Sequence, residues 1–312
     1  MNTLNENKVI EWLLKGDISI QYQVYRDLLD EERPELKSKI AKQGWGAKFL
    51  SLQKEDGHWG KGFYQPKWTS THYTLLDLKN LCISPDIKSI NKSISVILND
   101  FKCDDGGINP SGTIKNSDVC INGMFLNYAS YFNANEIQLQ SIVDFLLNVQ
   151  MKDGGFNCHS NRKGATHSSL HTTLSVIEGI YEYYKNGYSY RIKELLKAEL
   201  QSREFLLRHR LFKSHRTGET ISNQMIRLSY PTRWYYDILR ALDYFSSAKV
   251  KYDNRMQDAI EIILKKRGKD NKWKLQSNHK GQTHFNMEVV GKPSFWNTLR
   301  ALRVLKYYEI NY

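Results

Sequence analysis

The sequence predicts an all-α fold, an (α/α)6 toroid in which six helix pairs form a double ring. Three observations predict it. A turn motif built on Asp-Gly recurs between helix-like runs; the runs that follow it recur at steps of roughly fifty to sixty residues; and the apolar residues within them fall at helical spacing. Pro is scarce, at six in 312 residues, and hydrophobic residues at 40% supply a sizeable core, so the chain reads as one domain over 1–312.

The elements follow in order. A first pair fits at the start of the chain, with one helix near 6–15 and a second near 19–30 opened by Asp17 or Ser19. The turn motif then appears as FLSLQKEDGHWG (49–60), VILNDFKCDDGGINP (96–110) and FLLNVQMKDGGFNC (145–158). A fainter copy is EFLLRHRLFKSHRTGE (204–219), and the last is EIILKKRGKDNKWKLQ (261–276). Each copy is followed by a loop and a second helix, expected near 69–81, 117–132, 168–184, 232–246 and 294–308. Thr69, Ser117, Ser168, Pro231-Thr232 and Pro293-Ser294 are the residue types that open helices. Within them Tyr73, Leu76, Leu78 and Leu81, or Ile238, Leu239, Leu242 and Phe245, supply the apolar face. An open superhelix of TPR or HEAT type is disfavoured, because those repeats are shorter and lack this Gly-aromatic loop. In a closed ring all six second helices run the same way. Their N-termini, which hold anions through unpaired N–H groups and partial positive charge, then crowd one rim of a central funnel. The Asp-Gly loops near 56, 105 and 153 are expected on that same rim.

The formal charge of +12, from 45 Lys and Arg against 33 Asp and Glu, favours anionic partners such as diphosphates, acidic glycans or an anionic membrane surface. No block of consecutive basic residues stands out, so a nucleic-acid partner is not expected. MNTLNENKVIEWLLKGD lacks the basic start and apolar run of a secretory signal, and no stretch approaches about 18 apolar residues. Four widely spread cysteines suit a reducing compartment better than a disulfide framework, and the expectation is a cytoplasmic protein.

The segment Gly46-Ala47-Lys48-Phe49-Leu50-Ser51-Leu52-Gln53, followed by Gly57-His58-Trp59, resembles the QW repeats of the squalene and terpene cyclase and protein prenyltransferase superfamily. Later copies keep Asp-Gly-Gly and mostly lose the Trp. The layout is most similar to bacterial proteins loosely called prenyltransferase and squalene oxidase repeat proteins. The resemblance covers nearly the whole chain as a repeat pattern; it speaks to fold more than to chemistry. The Asp-x-Asp-Asp acid of class II terpene cyclases is missing, since Asp100 with Asp104-Asp105 has the wrong spacing. Protein prenyltransferase β subunits hold zinc with Asp-x-Cys at the start of one inner helix and a His early in the next. The resemblance therefore implies Asp118, Cys120 and His171 as zinc ligands, from Asp118-Val119-Cys120 and Leu170-His171-Thr172-Thr173. His167, four residues before His171, and Cys158, in the preceding loop, are the alternative ligands. Buried, inert Cys and a capping His are the plain alternative for the same residues.

Residues at the starts of the other second helices are expected to line the funnel: Trp68, His72, Trp234, Tyr235, Asp237, Trp296 and Asn297. Rings there suit a prenyl-like ligand or a stacked sugar, and ordinary interhelix packing uses them equally well. Basic loop residues Lys67, Lys115, Arg162, Lys163, Arg216, Arg233 and Lys292 are placed to meet a diphosphate, with Arg233 foremost because Pro231-Thr232 fixes it at a helix entrance. The long loop at 281–288 carries His284 and Glu288.

Three functions compete. The first is a prenyltransferase-like or terpenoid-cyclase-like enzyme, zinc-dependent, acting on an isoprenoid diphosphate. The second is an (α/α)6 glycan hydrolase or lyase, for which Asp237 with Glu288 is the available carboxylate pair and His284 a further acid–base group. The third is a non-catalytic toroid that binds a peptide or lipid.

Overall fold

Short polar residues ahead of apolar runs set where the helices begin. A computed structural model describes residues 2–110, 115–159 and 163–311, with side chains from residue 8 onward. Its helices are α1 (Asn2–Leu13), α2 (Ile18–Leu28), α3 (Pro34–Lys39), α4 (Gly44–Ser51), α5 (Thr71–Asn80), α6 (Lys88–Asp100) and α7 (Val119–Tyr131). They continue with α8 (Glu136–Asn148), α9 (Leu170–Lys185), α10 (Ile192–Arg208), α11 (Ile238–Ser247), α12 (Gln257–Lys265) and α13 (Phe295–Tyr307). Among the described residues, extended pairing is limited to isolated bridges, so the fold is all-α. No helix is long and apolar enough to cross a membrane.

The second helices of the expected pairs are α2, α5, α7, α9, α11 and α13. Asp17, Asp118, Asp237 and Ser294 cap four of them, each side chain accepting an N–H from the first turn. Ser117 and Ser168, expected as caps, sit a residue or more too early and do other work. Their amides and hydroxyls donate to Asp105 and Asp153 of the Asp-Gly turns (Ser117 N 2.7 Å, Ser168 N 2.9 Å). The fifth second helix begins at Ile238 rather than near 232. Arg233 is left-handed there (φ 58°), which interrupts the helix, and Asp237 captures the Arg240 amide at 2.8 Å to restart it.

The repeat is written in hydrogen bonds. A side chain early in a second helix accepts the backbone N–H of the turn before it in four copies. The pairs are Thr71 with Trp59 (3.0 Å), Asn122 with Ile108 (2.7 Å), Thr173 with Phe156 (3.0 Å) and Thr298 with Trp273 (3.1 Å). Trp59 Nε1 donates to Phe49 O and Trp273 Nε1 to Ile263 O, both at 2.7 Å and both ten residues back. Gln53 and Gln150 each donate to the carbonyl of their turn glycine, Gly57 and Gly154, and to a carbonyl of the next first helix, at Ser89 and Ala198. Gly57, Gly106 and Gly154 all have positive φ, as that tight turn requires.

The second helices pack on one another. α5 lies on α7, α7 on α9, α11 on α13, and α13 on α2. Arg240 of α11 joins Glu178 of α9, and Gln23 of α2 donates to Asn80 O of α5 at 3.1 Å. The α7–α9 crossing is the closest, because Gly123 and Gly179 face each other there. A Cβ on Gly123 would lie 2.7 Å from the Val176 Cα. Between these helices and their outer partners runs one apolar core, including Trp59, Trp273, Phe125, Phe156 and Phe245.

Candidate functional site

Two regions along the second helices carry chemistry. The first is at the starts of α7 and α9. Asp118 caps α7, and its Oδ1 accepts the thiols of Cys120 (3.1 Å) and Cys158 (2.9 Å). Cys158 Sγ in turn accepts the Cys120 amide (3.1 Å) and the Thr172 hydroxyl (3.4 Å). The two sulfurs and a carboxylate oxygen lie within 4.8 Å of one another, so the cluster could hold a metal ion. This donor set suits a thiophilic metal with one position left open. The adjoining Cys158 first, and then burial, raise the Cys120 thiol far above the usual range.

Neither histidine joins this group. His167 is exposed, and its backbone carbonyl accepts Asn157. His171 Nδ1 accepts the Tyr236 N–H at 2.8 Å, so the ring proton of the neutral form sits on Nε2 and neither nitrogen presents a free lone pair. Burial, helped by Arg240, lowers His171 to about 4.

Above the cluster the expected funnel residues pack into a block of rings. Tyr235 stacks on Trp234 (3.9 Å) and on His279 (3.8 Å), and Trp68 donates Nε1 to Lys280 O at 2.7 Å. Lys67 Nζ lies over both Trp68 (4.9 Å) and Trp234 (5.1 Å). His72 is fully buried against Phe63, Tyr64, Tyr73 and Tyr128, and burial lowers it to about 3. His284, bonded to Thr74 Oγ1 at 3.0 Å, anchors the 277–292 segment across these rings.

The second region is a chamber of about 490 Å³ among the C-terminal halves of the second helices. Asn127 and Glu178 in its wall lie seven residues beyond Cys120 and His171 on the same helices, about 10 Å further along at ~1.5 Å per residue. Its charges are mostly in pairs. Arg240 grips Glu178 (2.9 and 2.5 Å), Lys79 pairs with Glu182 (3.0 Å), and Arg233 pairs with Asp77. Arg300 and Arg303 share Asp243, and Arg303 and Arg26 share Asp27. Lys37 and Lys185 complete the cations of the wall. Eight cations thus stand against five carboxylates, counting Asp27 and Asp77 behind the wall, and three positive charges are left over. Part of that charge answers the helix C-termini nearby, whose carbonyls favour cations. Tyr22, Tyr131, Tyr181, Tyr230, Tyr244 and Trp296 add rings, and Leu76 and Pro85 are the aliphatic side chains of the wall.

Of the residues expected from sequence, Arg233 and Trp296 line this chamber, while Trp68, His72, Trp234 and Tyr235 belong to the ring block above it. Asp237 and Glu288 are engaged in capping. Asp237 accepts Ser229 Oγ (3.0 Å) and the Arg240 amide, and Glu288 accepts the Ser294 hydroxyl (2.5 Å) and the Trp296 amide (3.2 Å). Burial raises Glu288 despite those bonds. Lys115, Lys163, Arg216 and Lys292 are exposed, and Arg162 lies outside the described residues. Sequence reasoning missed Arg26, Arg240, Arg300 and Arg303. The signal was present in Arg240 with Asp243 and Arg300 with Arg303, charges three apart inside otherwise apolar helices.

No protein-family model matches the chain, and no curated protein matches it.

Proposed function

We propose that the chain is a closed α/α toroid that binds a small anionic molecule, of the phosphate or diphosphate class, in the chamber between its second helices. The cycle of neighbours running from α2 through α5, α7, α9, α11 and α13 back to α2 supports the ring. The observation that carries the function is the surplus of positive charge in a wall of arginines, lysines and tyrosines. The QW-type resemblance names an isoprenoid diphosphate as ligand. The wall suits its diphosphate, and the Tyr230–Trp296 stack (4.4 Å) offers an apolar face, but the aliphatic surface for a long prenyl chain is small.

The test is calorimetric titration with inorganic diphosphate, a prenyl diphosphate and an acidic oligosaccharide. Inorganic diphosphate is expected to bind, more weakly as salt rises. Lys37→Gln with Lys185→Gln, the wall cations with no ion pair among the described residues, should weaken it several-fold without loss of stability. A prenyl diphosphate that binds far tighter supports the transferase reading. Absence of binding by every anion sinks the proposal.

The cluster of Asp118, Cys120 and Cys158 is the zinc site this reading would use. Zinc there would supply Lewis-acid chemistry at the starts of α7 and α9, about 10 Å along those helices from the chamber wall. Elemental analysis tests it: the isolated protein should carry stoichiometric zinc, Cys158→Ser should lose it, and His171→Ala should keep it.

A further inference from the structure

Cys120 and Cys158 are 38 residues apart in sequence, yet their thiols share one carboxylate oxygen, Asp118 Oδ1, at 3.1 and 2.9 Å. The Cys120 amide reaches Cys158 Sγ at 3.1 Å, which lays the second sulfur over the backbone of the first. Their sulfurs lie within 4.8 Å, and a disulfide needs them to close to ~2.05 Å. Two donors, the Cys120 N–H and the Thr172 hydroxyl, point at the Cys158 sulfur, and the Lys67 ammonium is close enough to Cys120 and Asp118 to interact electrostatically with both. Cys120 is half-buried, whereas Cys158 is 8% exposed, so an oxidant meets Cys120 first.

We propose that Cys120 and Cys158 form a reversible disulfide, with a peroxide as the oxidant. The Cys120 sulfur attacks a peroxide oxygen, the O–O bond breaks, and Cys120 becomes a sulfenic acid as the first water leaves with the thiol proton. The Cys158 sulfur then attacks the sulfenic sulfur. The S–S bond forms, the S–O bond breaks, and the hydroxyl leaves as the second water with the Cys158 thiol proton. Two thiols lose two electrons and two protons, and one hydrogen peroxide becomes two waters. A dithiol reductant reverses the change. The bridge ties the start of α7 to the turn ahead of α9, across the closest helix crossing in the fold, and withdraws both sulfurs from any metal. This inference does not depend on what the chamber binds.

The protein is treated with hydrogen peroxide in the presence of a chelator, then alkylated and mapped by mass spectrometry. One cross-linked peptide joining Cys120 to Cys158 is expected, with loss of two of the four thiols, while Cys82 and Cys103 stay alkylated. Dithiothreitol should restore the pair. Tm should rise by several degrees on oxidation, because the bridge constrains the unfolded chain. In Cys158→Ser, a sulfenic acid at Cys120 should persist and be trapped by a dimedone-type reagent. The proposal is overturned if Cys120 or Cys158 goes to sulfinic acid without a cross-link. It is equally overturned if both stay reduced while Cys103 is oxidised; both outcomes are read on the wild-type chain, whatever the variant's folding.

Discussion

Asp27→Asn is the sharpest test of how the two ends of the chain are held together. Asp27, at the end of α2, is gripped by Arg26 (2.6 and 2.9 Å) and by Arg303 of α13 (2.6 Å). Burial alone would raise its carboxyl, but Arg303 and Arg26 outweigh that and hold it at about 2. Against an unfolded value of about 3.9, the shift contributes roughly 2.5 kcal/mol at neutral pH. Because the folded pKa is the lower one, that stability is complete above about pH 4 and is lost as pH falls through 2. The Asn variant should therefore unfold about 3 kcal/mol more easily at pH 7, the excess coming from Arg26, which keeps the Cys82 sulfur as its remaining side-chain acceptor. At pH 3 roughly half of the linkage contribution remains, so the gap to wild type should narrow by about 1.2 kcal/mol. Urea unfolding of both proteins at pH 7 and pH 3 measures this directly. A gap that is the same at both values would mean that Asp27 is not held as an ion by these arginines, and the account of the α2–α13 contact would fail.

Other outcomes follow from the same contacts. Gly179→Ala should cost about 2–4 kcal/mol by urea unfolding, since its Cβ would collide with the Gly123 carbonyl, and Gly123→Ala should behave alike. Trp59→Phe and Trp273→Phe should each cost about 1–2 kcal/mol and by nearly the same amount, because each leaves one buried carbonyl of the preceding helix without its indole donor; a large inequality would break the repeat equivalence. Burial lowers His72 to about 3, and burial with nearby cations lowers His171, His279 and His284 to about 4. Their unfolded forms charge near pH 6.5, so stability should fall as pH drops from about 6.5 towards 4, with proton uptake on unfolding measurable by calorimetry in buffers of different ionisation enthalpy.

How much of this was legible beforehand can be argued residue by residue. Five of the six second helices begin and end within a few residues of where apolar spacing and loop chemistry put them, since both signals are local. The exception is α11. Arg233 takes a left-handed backbone where its guanidinium meets Asp77, a residue more than 150 positions away, and no local signal reports that. Cys158 was in view as an alternative ligand, but its place beside Asp118 and Cys120 depends on how the turn before α9 folds back against α7.

Local chemistry along the chain dictates that it is helical and that its turns repeat. Each of these follows from interactions within about ten to fifteen residues. Which charges face inward together follows from the packing of distant helices. Arg26, Arg240, Arg300 and Arg303 come from three helices spread over almost the entire chain, and their pairing with Asp27, Glu178 and Asp243 exists only once those helices are side by side. Burial makes each unpaired charge costly, so the packing of distant segments, not the local code, selected where the cations of the chamber lie.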